Sequence, residues 1–257
     1  MAELEALIFD VDGTLADTER DGHRVAFNRA FEEAGLDWQW SVALYGKLLA
    51  VTGGKERIRH YLDHYNQDYP RQDDLDGFIA ALHASKTQHY TRMLSQGLIP
   101  MRSGVKRLLH EARQAGLRLA IATTTTPANV SALLQHSLDP DAESWFEVIA
   151  AGDIVAAKKP APDIYLWAMQ RMGLQAGACL ALEDSHNGVQ SASHAAIDSI
   201  LVTTNGYTAE DDFSGASLVV DQFGEPDQPF LVRSGEADGH RFVDLGLLRA
   251  LHGRSDP

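Results

Sequence analysis

A parallel α/β sheet carrying an all-helical insertion is the fold class this sequence predicts, on three observations. The run Ala6 to Phe9 is apolar and leads directly into Asp10-Val11-Asp12-Gly13-Thr14, as a buried strand followed by a turn would. From Pro100 onward, strand-length apolar runs alternate with segments of helical periodicity, the pattern of βαβ units. Between them, residues 38–96 carry helical patterning only, with no alternating β-branched run.

In chain order, the first strand is expected at Ala6 to Phe9. Val25, Phe27, Ala30, Phe31 and Ala34 then recur at helical spacing, and Gly35 is a natural stop. Three further apolar faces follow: Leu44 with Leu48 and Leu49, Ile58 with Tyr61 and Leu62, and Phe78 with Ile79 and Leu82. Helices are predicted from Ser103 to Gly116 and from Pro127 to about Leu138, Pro127 fitting a first helical turn. Another is predicted from Pro162-Asp163 through Met172, with Gly173 as its C-terminal stop. Strands are predicted at Leu117 to Ala122, Val148 to Ala151, Cys179 to Leu182, Ser199 to Thr203 and Ser217 to Val220. Ser185 or Asn187 would cap a helix running to about Ala196. Beyond Pro226 the two prolines 226 and 229 suggest a loop, and Leu247 to Leu251 a last short helix.

Composition bounds the function. The 257 residues suffice for one large domain or two smaller ones, and 44% hydrophobic with 23% charged residues is ordinary for a globular protein. A single cysteine, Cys179, excludes an internal disulfide. No apolar stretch approaches the ~20 residues of a membrane span, and the acidic N-terminus lacks the basic start of a signal peptide. A cytoplasmic protein is therefore expected, with a monomer as the default because the sequence does not set the oligomeric state. The net charge of −14 argues against nucleic acid and anionic membranes as partners. An anionic substrate would need a local cluster of cations or a metal ion.

Four features end predicted strands or lie in the loops beyond them: Asp10 with Asp12, Thr123, Lys159, and Glu183 with Asp184. Ligands of open α/β sheets bind at those strand ends, and residues two apart on a strand face the same side. Singly, each feature has a plain structural reading. Asp12-Gly13 is a common turn pair, Thr123 to Thr126 a polar helix cap, Lys158-Lys159-Pro160 a solvated loop, and Glu183-Asp184 a helix-terminal charge. Together they demand four coincidences of placement.

Their order, D-x-D-G-T, then a strand-terminal threonine, K-P-x-P-D and E-D-S, resembles the haloacid dehalogenase superfamily of phosphotransferases. The resemblance implies a Rossmann-like core of residues 1–16 and 101–257, with a small α-helical cap, 17–100, inserted after the first strand. It implies that Asp10 is the nucleophile and Asp12 the general acid and base. Thr123, with Thr124 and Thr125 at the following helix start, would hold the phosphoryl group, and Lys159 would offset its charge. Mg2+ would be bound by Asp10, the backbone carbonyl of Asp12, Asp184 and, directly or through water, Glu183. The cap run Thr52-Gly53-Gly54-Lys55-Glu56-Arg57 reads on composition as a helix-to-helix loop with exposed charge, or as an anion clamp whose glycines let backbone N–H groups approach closely. Together with Asp17-Thr18-Glu19, it resembles the CbbY-type sugar phosphatases, which include xylulose-1,5-bisphosphate phosphatases. That resemblance implies a phosphorylated sugar as substrate, contacted by Glu19, Thr52, Gly53, Gly54, Lys55 and Arg57, with Lys55 and Arg57 clamping a distal phosphate. The alternatives differ in sequence. A β-phosphoglucomutase carries a lysine shortly after the strand-terminal hydroxyl, absent here; a phosphoglycolate phosphatase needs no distal clamp; a binding protein on the same scaffold would have lost Asp10, Asp12 or Lys159.

Overall fold

The structure is a computed structural model that describes residues 3–51, 53–70 and 73–254. The chain divides into two compact units. One comprises Met1–Asp17 and Pro100–Pro257, the other Thr18–Ile99.

The first unit is built on a seven-stranded sheet. Its strands are β1 (Ala6–Phe9), β2 (Arg118–Thr123), β3 (Val148–Ala151), β4 (Cys179–Glu183), β5 (Ile200–Thr203), β6 (Leu218–Val220) and β7 (Val232–Gly235), in spatial order β3-β2-β1-β4-β5-β6-β7. The first six are parallel, and β7 is antiparallel to β6. β1 is an interior strand, with Ile8 opposite Ala120 of β2 and Ala181 of β4. All four of its residues are buried, because helices cover parallel sheets on both faces. The chain builds outward from β1 through β2 to β3, then returns to place β4 on the other side of β1. That reversal is where ligands of such sheets bind.

Helices α5 (Val105–Gln114), α6 (Pro127–Leu133), α7 (Asp163–Met172), α8 (His186–His194) and α9 (Leu245–Arg254) belong to the same unit. Ala6 and Ile8 pack in one cluster with Ile164, Tyr165 and Ala168 of α7 and Val189 and Ala192 of α8. The helix expected over 127–138 is α6 continued by a wider turn, Leu134–Leu138. Ser185, of the two candidate caps, closes α8: its Oγ accepts from Gly188 N at 3.2 Å. β7 falls where a loop was expected. Its residues Val-Arg-Ser-Gly are all exposed, so no alternation marks them as a strand.

The second unit holds α1 (Arg24–Glu33), α2 (Val42–Leu48), α3 (Gly54–His64) and α4 (Leu75–Ser95), preceded by a wide helical turn, Thr18–His23. α1 packs on α4. Between the helices Phe27, Phe31, Trp38, Trp40, Tyr45 and Tyr61 form a continuous aromatic core. Ser41 caps α2, and Asp74 caps α4 by accepting from Gly77 N at 2.8 Å. Among the described residues, no helix is long and apolar enough to cross a membrane.

Candidate active site

The carboxyl ends of β1 and β4 bring Asp10, Glu183 and Asp184 together. Each offers a carboxylate oxygen within 4.8 Å of the others. Asp10 follows β1 directly, its amide donating to Leu182 O at 2.9 Å, so the parallel ladder itself fixes where the side chain starts. All three are nearly inaccessible, at 7%, 0% and 6% exposure. Lys159, from the loop before α7, reaches into the cluster. Its Nζ donates to Asp10 Oδ1 at 2.7 Å and Glu183 Oε1 at 2.6 Å. Gly13 turns with φ +94°, and a Cβ there would lie 2.0 Å from Asp184 Oδ2; glycine is required both for the turn and for the close approach.

Burial sets the electrostatics. Three carboxylates face one lysine in a region screened from water, so each carboxyl is pushed toward its protonated form. Burial raises Glu183 to about 7, with the Lys159 charge opposing and the Asp10 charge adding. Burial, then the charges of Asp10 and Glu183, hold Asp184 well above the ordinary aspartate range. Asp10 is raised for the same reason, less so because Lys159 lies against it. Burial opposes the Lys159 charge, but Asp10 and Glu183 outweigh it and keep the ammonium protonated. Glu183 Oε2 is buried and has no hydrogen-bond partner. Excess buried carboxylate and an orphaned oxygen are what a hard divalent cation with oxygen ligands would satisfy, so the donor set fits Mg2+.

Other predicted residues follow β1 or end the β2 strand paired with it. Asp12, two residues on from Asp10, is half-buried, and Thr14 is fully buried. Thr123 ends β2 at 1% exposure, and its Oγ1 accepts from Thr125 N at 3.2 Å. Thr124 is exposed and Thr125 half-buried, just ahead of α6. Sequence reasoning missed two residues that touch the cluster. Tyr165 of α7 donates its hydroxyl to Glu183 Oε1, and Asn205 donates Nδ2 to Asp184 Oδ2 at 2.7 Å.

The helical unit holds its own polar cluster. Tyr45 donates to Glu19 Oε2 at 2.6 Å and accepts from Arg57 Nη1 at 2.9 Å. Arg57 is buried, and its remaining nitrogens donate to Leu48 O at 3.2 Å and Val51 O at 3.3 Å. It therefore ties the α2–α3 connection together rather than standing exposed. Lys55 is exposed, Gly53 and Gly54 open α3, and Thr52 lies outside the described residues. A cation the sequence reading passed over is Lys86 of α4, 9% exposed, over the rings of Phe27 and Tyr90 and hydrogen-bonded to His23 Nδ1 at 2.9 Å. Burial lowers it to about 8, against the pull of Glu19. Ile79, Leu82, Lys86, Tyr90 and Met93 recur along one helical face, so a lysine in an apolar row was the available signal.

A family model for haloacid dehalogenase-like hydrolases matches residues 4–196. The chain belongs to that family. It is 49% identical over 249 residues to the plasmid-encoded protein CbbY of Cupriavidus necator, covering 97% of each chain. A crystal structure of CbbY from Rhodobacter sphaeroides in complex with phosphate is 43% identical, with a TM-score of 0.69 over 85% of this chain and 94% of that one. A mutant of the same protein, in complex with xylulose-(1,5)bisphosphate, matches at 42% identity with the same TM-score and coverage. These likenesses, together with the family match, place the chain among the phosphatases of the haloacid dehalogenase superfamily. The mostly parallel sheet, with β1 in its interior, is the Rossmann-like core expected of that superfamily.

Proposed function

We propose that this enzyme is a Mg2+-dependent phosphatase acting on a phosphorylated sugar, xylulose 1,5-bisphosphate, through an aspartyl-phosphate. The observation that carries the reaction class is the buried set Asp10, Glu183 and Asp184 at adjacent strand ends, with Lys159 reaching in from the loop before α7. The substrate is supported by the full-length likeness to CbbY and by the relative solved with xylulose bisphosphate.

In this reading Asp10 attacks phosphorus in line, splitting one difficult displacement into two. Lys159, held on Asp10 Oδ1, keeps the nucleophile ionised and offsets the charge of the incoming phosphoryl group. Asp12 protonates the leaving oxygen, then takes the proton of the water that cleaves the acyl phosphate. Thr123 donates its hydroxyl to a phosphoryl oxygen. Asp10, the Asp12 carbonyl, Asp184 and Glu183 would hold Mg2+, which supplies the positive charge that lets an anionic phosphate enter an acidic site. Lys55 contributes the cation for the second phosphate, while Arg57 keeps the Gly53-Gly54 turn and Tyr45 in place.

Initial rates of phosphate release, with and without Mg2+, test this on xylulose 1,5-bisphosphate, ribulose 1,5-bisphosphate, β-glucose 1-phosphate, phosphoglycolate and fructose 1,6-bisphosphate. The expected result is Mg2+-dependent release with kcat/KM for xylulose bisphosphate well above the rest. Rates spread evenly, or peaking on a monophosphate, would discard the substrate while retaining the phosphatase.

A further inference from the structure

Arg102 is a buried cation of the core unit to which the scheme above gives no part. Its side chain is 9% exposed, and Nε lies 3.3 Å from Asp17 Oδ1. Its amide donates to Leu15 O at 2.9 Å, and the neighbouring Met101 bridges Ala16. The guanidinium gathers backbone carbonyls from three separate loops. It donates to Gly13 O, to Thr203 O at 3.3 Å, to Thr204 O at 2.6 Å and to Asp221 O at 2.9 Å. Those loops follow β1, β5 and β6, at the carboxyl edge of the sheet where the acidic cluster lies.

What these acceptors touch separates Arg102 from an ordinary structural arginine. Gly13 packs directly on Asp184, since a Cβ there would sit 2.0 Å from Oδ2 and 2.8 Å from Asn205 Nδ2. Asn205, next to Thr204, donates to that same Oδ2. Both neighbours of the Asp184 carboxylate are thus anchored to one guanidinium, and Gly13 is the residue after Asp12. The Arg102 charge also opposes the upward push on Asp184. Arg107 is a useful contrast. It binds Gly224 O, Glu225 and Glu111, none of which contacts the cluster.

We propose that Arg102 is a positioning residue for the reaction: by clamping Gly13 and Thr204 it fixes Asp12 and Asp184 relative to Asp10. This rests on the phosphatase reading above. Arginine suits the task because a rigid fork with five N–H donors can hold several carbonyls at once. Lysine carries the same charge but has three donors at a single atom.

The test compares Arg102→Lys with Arg107→Lys and the wild type, at a temperature where all three are folded, on p-nitrophenyl phosphate and xylulose 1,5-bisphosphate. Misplacement of reacting groups by about 1 Å can cost on the order of 100-fold. Arg102→Lys is expected to lower kcat on the order of 10- to 100-fold on both substrates with little change in KM, whereas Arg107→Lys keeps kcat. In metal-free protein, amide exchange should quicken over residues 13–16 and 204–206 in Arg102→Lys alone. Arg102→Lys with wild-type kcat, or an equal loss in Arg107→Lys, would overturn the proposal. Unchanged exchange in those two segments would overturn it as well. A wild type inactive on both substrates would refute the phosphatase reading instead, and the exchange comparison would still decide whether Arg102 holds the two loops.

Discussion

Replacing Glu183 with glutamine tests the electrostatic account of the site without measuring catalysis. Glu183 ordinarily titrates near 4.5 and is pushed to about 7 in the folded protein, chiefly by burial. Below pH 4.5 it is protonated in both folded and unfolded chains. Between 4.5 and 7 the unfolded chain releases the proton while the folded chain retains it, so stability falls as pH rises. At about 1.4 kcal/mol per pH unit, the full interval amounts to roughly 3 kcal/mol. Asp10 and Asp184 act in the same direction. His23 acts oppositely: burial, then the charges of Lys86 and Arg57, hold its ring neutral, so its contribution is lost as pH falls from 6.5 through its lowered folded value. Comparison with Glu183→Gln cancels the His23 contribution, while the part of the Asp184 shift that the Glu183 charge causes disappears with it and adds to the difference. Urea unfolding in chelator at pH 4.5, 5.5, 6.5 and 7.5 should show the wild type losing more stability with rising pH than the variant, by roughly 3 kcal/mol across the range. Mg2+ should remove most of that difference. Parallel curves for the two proteins in chelator would refute the reasoning, since they would mean that Glu183 titrates as if exposed.

Other perturbations separate the roles of neighbouring residues. Lys55→Ala should raise KM for xylulose bisphosphate on the order of tenfold or more while leaving KM for an aryl phosphate unchanged; equal effects in steady-state kinetics would remove Lys55 from the distal contact. In Gly188→Ala the new Cβ would lie 1.8 Å from Glu183 Oε2. Overpacking of about 1–3 kcal/mol and a lower kcat are expected, read by thermal unfolding and phosphate release; an unaltered melting temperature and rate would contradict that close contact. Lys86→Met keeps the apolar stem over Phe27 and Tyr90 and removes a buried charge that has no carboxylate ion pair among the described residues. It should raise the melting temperature, and a lower one would show that the ammonium stabilises the helical unit.

The sheet was legible because its strands are buried on both faces and therefore read as unbroken apolar runs ended by polar residues. Asp10, Lys159, Glu183 and Asp184 were legible as a set because each lies at such an end or in the loop beyond it. Much of what escaped depended on contacts the fold makes between residues far apart on the chain. Nothing in the sequence around Tyr165 marks the contact of its hydroxyl with Glu183. Arg102 has no local signature either, because its acceptors at residues 203, 204 and 221 are about a hundred residues away. Arg57 could be read as a surface cation because burial of a guanidinium leaves no local signature. β7 escaped for the opposite reason, since a fully exposed edge strand has no hydrophobic pattern to reveal it.

The central claim is that Asp10 becomes phosphorylated during turnover. Acid-quenched enzyme, mixed with excess xylulose 1,5-bisphosphate and Mg2+ and digested for mass spectrometry, tests it directly. A phosphoryl adduct is expected on the peptide containing Asp10, with neither adduct nor turnover in a folded Asp10→Asn variant. Sustained phosphate release by that variant, or an adduct elsewhere on the chain, would contradict it.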